Sequence, residues 1–144
     1  MYNKKNTHPI RRNEIKTLKV FLKGKTFKVT YSLDALKDIL NSNIFDKIQI
    51  PVYMHNATLF GDGKKGLSVV GNVISYNDET GEMTLSIFSR FTTKVNAIED
   101  AIVFPRVIAI REKGEEVAED EVAEDIRILG FDIASEDFYK SLDD

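Results

Sequence analysis

Short segments in which apolar and polar residues alternate recur along the chain, and they restrict its fold more than any other feature. In residues 82–91, for example, Met83, Leu85 and Ile87 alternate with polar side chains. An alternation with a period of two places the apolar side chains on one face of a β-strand. Related patterns predict further strands at 48–54, 67–76, 103–111 and 126–133, and a hairpin over 18–31 that turns at Gly24-Lys25.

The helical patterns are few and short. Ser32 stands where a helix N-cap is expected, and the apolar spacing that follows it predicts a helix over 33–41. Two further helices are predicted near 93–102 and 135–142, whereas 57–66, with three glycines, is predicted to be a loop. Because strands and helices do not alternate, the pattern predicts an α+β fold: a compact, mainly antiparallel, barrel-like sheet with two or three short helices.

Two residues predict irregular points within these strands. Pro51 lacks a backbone N–H group, which favours an edge position or an interruption of the strand over 48–54. Gly130 favours a bulge or a twist in the strand over 126–133.

The length of 144 residues fits one domain. Basic and acidic residues are distributed unevenly along it. Residues 1–111 carry 17 basic and 10 acidic side chains, whereas 112–144 carry 3 basic and 13 acidic ones. We therefore expect a basic flexible arm over 1–17, followed by a single β-rich domain over 18–144 that contains an acidic flap over 112–125. Segments of opposite charge can bind neighbouring copies head to tail, bind each other within one chain, or simply be solvated.

Few classes of chemistry are compatible with the composition. The chain has no cysteine, which excludes disulfides and thiolate zinc sites, and we expect neither a metal nor a cofactor. It contains no apolar run of membrane-spanning length, and its first residues do not resemble a secretory signal. The basic arm could contact nucleic acid only nonspecifically. His55, at the end of a predicted strand, would need a nearby nucleophile to act in hydrolysis, and a lone histidine in this position is more often structural.

The order of motifs resembles that of phage prohead maturation proteases, which are related in fold to herpesvirus assemblin. The segments that carry the resemblance are SLDALKDIL at 32–40, IPVYMH at 50–55, GNVISYNDETGEMTLSIF at 71–88, AIVFPRVIAI at 101–110 and IRILGFDIASEDF at 126–138. The resemblance implies a catalytic histidine at His55 and a nucleophilic serine on a later strand, in some branches directly before a proline.

The chain departs from this family at the nucleophile. Phe104 precedes Pro105 where the resemblance implies the serine, and a phenyl ring cannot attack a carbonyl. An alternative alignment brings Ser86 or Ser89 to the site. If the protein is active, the catalytic candidates are therefore His55, Ser86 and Ser89, but we expect that catalysis has been lost.

These observations favour a structural or auxiliary capsid protein of a phage particle. We expect many copies, located in the virion and, during assembly, in the host cytoplasm, bound to the major capsid protein or other virion subunits and not to a membrane. The expected partner-binding residues are Lys4, Lys5, Arg11, Arg12 and Lys16. Two alternatives remain at this point: an active prohead serine protease and a small intracellular protein-interaction module.

Overall fold

The computed structural model describes residues 13–26, 29–110 and 122–142, which adopt an α+β fold. The strands are β1 (Glu14–Lys19), β2 (Lys25–Thr26), β3 (Val29–Thr30), β4 (Pro51–His55), β5 (Leu67–Asn77), β6 (Glu82–Ile87), β7 (Ala101–Ala109) and β8 (Ile126–Ser135). The helices are α1 (Leu33–Leu40), α2 (Ile44–Lys47), α3 (Asn56–Phe60), α4 (Thr92–Asn96) and α5 (Glu136–Ser141), with a 3₁₀ turn at Ser89–Phe91.

Six of the strands form one mixed sheet in the order β1-β6-β5-β4-β8-β7, and β2 pairs with β3 separately. Within the sheet β4 and β8 run parallel, and the other neighbours run antiparallel. A single bridge between Val20 and Val103 connects the chain after β1 to β7. One bridge does not make a ladder, and the sheet is not closed into a barrel. The α+β prediction is confirmed, whereas its barrel-like form is not established.

Helix α1 forms where the sequence predicts it, for local reasons. The Ser32 hydroxyl accepts a hydrogen bond from the Ala35 backbone N–H at 3.2 Å, which satisfies one of the free donors in the first turn. Leu36 and Leu40 lie four residues apart and are buried against the sheet core. The helix is thus fixed at its start by the cap and along one face by burial.

Strand β8 lies in the interior of the sheet, between β4 and β7. Its register with β7 shifts between Arg106 and Val107, which leaves Leu129 as an extra, exposed residue. The predicted irregularity therefore lies beside Gly130. Gly130 itself is required by packing, because a Cβ atom there would lie 2.5 Å from the Tyr53 ring and 2.8 Å from the Pro51 carbonyl oxygen.

Several predicted boundaries need correction. Pro51 does not mark an edge, since it begins β4 in the middle of the sheet, where the first residue of a strand can lack a ladder donor. The alternative, an interruption of the ladder, is confirmed by the register shift with β5 between Val52 and Tyr53. The predicted loop over 57–66 overlaps α3, a helix too short to produce a periodic pattern. The helix predicted at 93–102 ends at Asn96, and Ala101 already belongs to β7. Lys25 of the predicted turn lies in β2, which pairs with β3, and Leu18 and Lys19 of the predicted hairpin belong to β1, which pairs with β6.

Regular structure extends into both the predicted arm and the predicted flap. β1 begins at Glu14, so residues 14–17 of the arm pair with β6, and residues 1–12 lie outside the described residues. At the end of the flap, Ala123 is buried; its N–H donates to the Thr30 carbonyl, and its carbonyl accepts from the Ser32 N–H. Residues 112–121 of the flap, and Arg111 of the strand predicted before it, lie outside the described residues. With five α-helices in the described ranges, the count exceeds the two or three predicted.

Replacing Leu36 with alanine should destabilise the domain by about 2–5 kcal/mol, because this side chain is 0% exposed and its loss leaves a cavity. Leu33→Ala, on the same helix at a side chain 37% exposed, is the matched control and should cost under about 1 kcal/mol. Chemical denaturation measures both free energies of unfolding. Equal effects for the two variants would contradict the packing of α1.

Candidate site around His55

The centre of the sheet is buried on both faces. Val52 and Met54 of β4 belong to the main core, so the alternating residues Tyr53 and His55 point to the opposite face. On this second face a smaller apolar cluster has formed from Ile102, Phe104, Ala134 and Tyr139, with Phe21 packed against it. The two positions to which the family resemblance assigns the catalytic histidine and the nucleophile, His55 and Phe104, both lie on this second face.

Phe104 lies inside this cluster. Its side chain is 1% exposed, and its ring centroid is 4.8 Å from that of Tyr139. The Phe21 ring meets Tyr139 edge-on at 5.3 Å. Aromatic pairs at these separations stabilise by about 0.5–1.5 kcal/mol beyond the area they bury. The residue at the implied nucleophile position thus has a packing role.

An ion pair lies next to the cluster. Asp132 is 1% exposed and faces Tyr53 on one neighbouring strand and Phe104 on the other. Arg106 donates two hydrogen bonds to its carboxylate, from Nε to Oδ1 at 3.0 Å and from Nη2 to Oδ2 at 2.7 Å. This bidentate geometry compensates the free-energy cost of burying the Asp132 carboxylate.

His55 ends β4 on the same face as Phe104, but no hydroxyl of residues 13–26, 29–110 or 122–142 is hydrogen-bonded to it. Its ring packs against Phe138 of α5, with centroids 5.4 Å apart. Its Nε2 atom is buried and has no hydrogen-bond partner among the described residues. Buried polar atoms are nearly always paired, so this nitrogen is an exception among the described residues.

A cavity of about 600 Å³ opens beside His55. Its lining is predominantly apolar, with Thr58 and Ser135 as hydroxyl groups and Lys94 and Glu99 as charged groups. The Ser135 hydroxyl accepts a hydrogen bond from the Phe138 N–H at 3.2 Å and so caps α5. The sequence predicts Ser135 only as the start of a helix. Nothing local indicates that it adjoins His55, because that proximity depends on the parallel pairing of β4 with β8.

The two serines considered as nucleophiles lie elsewhere. Ser86 accepts a hydrogen bond from the Asn13 amide at 3.1 Å and is aligned, through Asn72 of β5, with Pro51 at the far end of β4. Strand spacings then separate it from His55 by on the order of 15 Å. Ser89 begins the 3₁₀ turn and does not line the cavity. Neither serine is brought to His55.

Of the predicted partner-binding residues, Lys16 alone lies within the described part of the chain. Its ammonium group donates to the Asn96 side-chain oxygen at 2.6 Å, and the Asn96 amide in turn donates to Glu14 at 3.2 Å. Lys16 therefore connects β1 with α4. Lys4, Lys5, Arg11 and Arg12 lie outside the described residues.

Across the described ranges, no three His, Cys, Asp or Glu side chains converge as metal ligands, and no helix could traverse a bilayer. No protein-family model matches the chain, and no similar curated protein or solved structure was found. The function therefore has to be inferred from the geometry of this chain alone.

Replacing Arg106 with methionine should destabilise the domain by about 3 kcal/mol near neutral pH, because it leaves the Asp132 carboxylate buried without its guanidinium. Adding Asp132→Leu to this variant should recover much of the loss, since no charge then remains to be buried. Lys140→Met, in the exposed pair with Glu136, is the control and should leave the free energy of unfolding nearly unchanged, because water screens this pair. Urea unfolding of the variants measures these differences, and equal costs for Arg106→Met and Lys140→Met would contradict the role of the buried pair.

Proposed function

We propose that this protein is a noncatalytic structural protein of a phage particle, with a fold similar to that of the prohead maturation proteases, and that it binds neighbouring capsid subunits. The observation that carries the proposal is Phe104. At the position where the resemblance implies a serine, the side chain is a buried phenyl ring packed on Tyr139. A position committed to packing in this way cannot supply a nucleophile.

The surroundings of His55 support the same conclusion. A serine hydrolase needs its hydroxyl within hydrogen-bond reach of the imidazole, at roughly 2.6–3.2 Å. His55 Nε2 has no such partner in the described ranges, and the Ser86 hydroxyl bonds Asn13 instead. A histidine left without its nucleophile is the arrangement expected of a protease scaffold that has lost its activity.

The order of elements is consistent with the resemblance. α1 precedes a strand that ends at His55, β5 and β6 form the meander, and β7 and β8 follow with Phe104 and Gly130 at the implied places. The bridge between Val20 and Val103 also brings the chain after β1 to β7, as a barrel-like closure of the sheet would require.

Charge indicates how the protein would bind its partners. The basic residues Lys4, Lys5, Arg11 and Arg12 precede β1, and the acidic segment follows β7. In a capsid many copies lie side by side, so weak contacts repeated over the shell are sufficient for stable attachment. We therefore propose an acidic surface of the major capsid protein as the partner of the basic segment, with a contact that weakens as salt increases.

A second candidate function is favoured by one observation: Ser135 and His55 line the same cavity. Closure of that space would bring a hydroxyl to the imidazole and give a serine hydrolase, in which case the protein would be an active prohead protease. The Ser135 hydroxyl is occupied as the cap of α5, which argues against this alternative.

The purified protein should cleave neither itself nor a capsid scaffold protein, because His55 Nε2 has no hydrogen-bonded nucleophile in the part of the chain that the structure describes. Mass spectrometry over a long incubation measures cleavage. Specific products that disappear in both His55→Ala and Ser135→Ala, or in His55→Ala and either Ser86→Ala or Ser89→Ala, would establish the protease instead.

The protein should be present in stoichiometric amounts in purified particles, and loss of residues 1–12 should reduce its incorporation at low salt while leaving β1 intact. Replacing Lys4, Lys5, Arg11 and Arg12 together with glutamine should have the same effect, because the contact is electrostatic. The matched control replaces four exposed lysines elsewhere, namely Lys37, Lys47, Lys64 and Lys65. The amount of each variant in assembled capsids, measured at two ionic strengths, tests this contact. Full incorporation of the truncated chain at both would reject the proposed contact.

A further inference from the structure

Six neighbouring side chains on one face of β1, β6 and β5 are all uncharged, although 30% of the residues in the chain are charged. They form what we call the neutral face: Ile15, Thr17, Thr84, Ser86, Asn72 and Ile74. We infer that the neutral face binds the same face of a second copy of the chain and so forms a symmetric dimer. The inference concerns the isolated protein and does not depend on the proposed role in a capsid.

The pairing of the strands brings the side chains of the neutral face together. Thr84 and Ser86 alternate with core residues of β6, the middle strand, and therefore point away from the main core. Thr17 of β1 is paired with Thr84, and their hydroxyl oxygens are 3.4 Å apart. Ile15 is paired with Ser86 from one side and Asn72 from the other.

The isoleucines of the neutral face leave apolar surface in contact with water. Ile15 is 60% exposed, and Ile74, the extra residue of the bulge in β5, is 42% exposed. Ile74, Asn72 and Ser86 line an open groove of about 520 Å³, which is also lined by the exposed Ile48. Covering these side chains with a partner is favourable because it removes apolar surface from water.

The polar groups of the neutral face favour a second copy as that partner. Hydroxyl and amide groups both donate and accept hydrogen bonds, so threonine, serine and asparagine side chains can pair with the same groups of another copy. A face that carried charges of one sign would repel its own copy. At one end of the neutral face Lys19 and Glu82 lie opposite each other, and Asp46 and Lys47 line the groove, so each of these pairs has no net charge.

The size of the neutral face predicts a weak dimer. Three strands about 4.8 Å apart, each about 20 Å long, present roughly 300 Å² of flat area. Stable interfaces bury roughly 800 Å² on each partner. We therefore expect a dissociation constant on the order of 100 μM.

Sedimentation equilibrium of the full chain, at concentrations up to about 1 mM, measures this association. Thr84→Asp, on the middle strand, should raise the dissociation constant about tenfold or more, because the dimer would then bury two unpaired carboxylates. Thr58→Asp makes the same change at an exposed threonine of α3, outside the neutral face, and should leave the dissociation constant unchanged. Circular dichroism verifies that each variant is folded.

Opposite charges at Thr84 test whether the two copies use the same face. Thr84→Asp and Thr84→Lys should each weaken the dimer when measured alone. An equal mixture of the two variants should recover association at low salt, because residues close to the two-fold axis meet their own counterparts. A mixture that associates no better than either variant would overturn the symmetric pairing.

The apolar part of the contact is tested at Ile15. Ile15→Ala should weaken the dimer about threefold or more, because this side chain would be buried in the interface. Ile108→Ala removes an isoleucine that is also exposed but belongs to β7, and it should have no effect.

Salt separates this contact from the proposed electrostatic contact with capsid subunits. The dimer of the unchanged chain should be almost insensitive to salt, because its contacts are uncharged. A chain that stays monomeric at about 1 mM, or a dimer that Thr84→Asp does not weaken, would overturn the inference. Dimers that form only after removal of residues 1–12 would assign the neutral face to that segment, and a monomeric chain whose incorporation into capsids falls with Thr84→Asp would assign it to a capsid subunit. Either result would also reject a second copy as the partner.

Discussion

The pairing of β8 with β4 on one side and β7 on the other determines most of this architecture. β8 is buried on both faces: Phe131 and Ile133 belong to the main core, while Asp132 and Ala134 lie on the second face. A strand in this environment cannot carry an uncompensated charge. The two hydrogen bonds from Arg106 to Asp132 make that burial tolerable.

The same strand sets the chemistry of the site, because α5 follows it directly. α5 brings Tyr139 against Phe104 and, one residue earlier, Phe138 against His55. The helix thus closes the implied nucleophile position with one aromatic ring and forms a wall of the histidine cavity with the next. The burial of Phe104 and the presence of a cavity beside His55 are both consequences of one strand–helix unit.

Elements fixed by interactions between residues close in sequence could be predicted, whereas elements that depend on contacts between distant residues could not. α1 was predictable because its cap and its apolar face are encoded within nine residues. The position of β4 inside the sheet could not be predicted, because its parallel pairing joins Tyr53 to Asp132, which is distant in the sequence. Pro51, considered alone, is compatible with an edge position as well as with an interrupted ladder. The proximity of Ser135 to His55 depends on that same pairing. α3 escaped prediction because Asn56–Phe60 is too short for a helical period, and nearby glycines favoured a loop.

The location of β8 has a consequence for how the chain reaches its folded state. During synthesis β4 and β5 emerge before β8, so the side of β4 that β8 will occupy is at first an open row of backbone donors and acceptors. The missing strand of a neighbouring copy has the same sequence and fits that edge equally well. Two chains held together while incomplete could therefore exchange β8, with each completing the other's sheet. Because β8 is synthesised last and inserts into the interior of the sheet, this domain is a candidate for strand-swapped dimers when many chains are synthesised or refold close together.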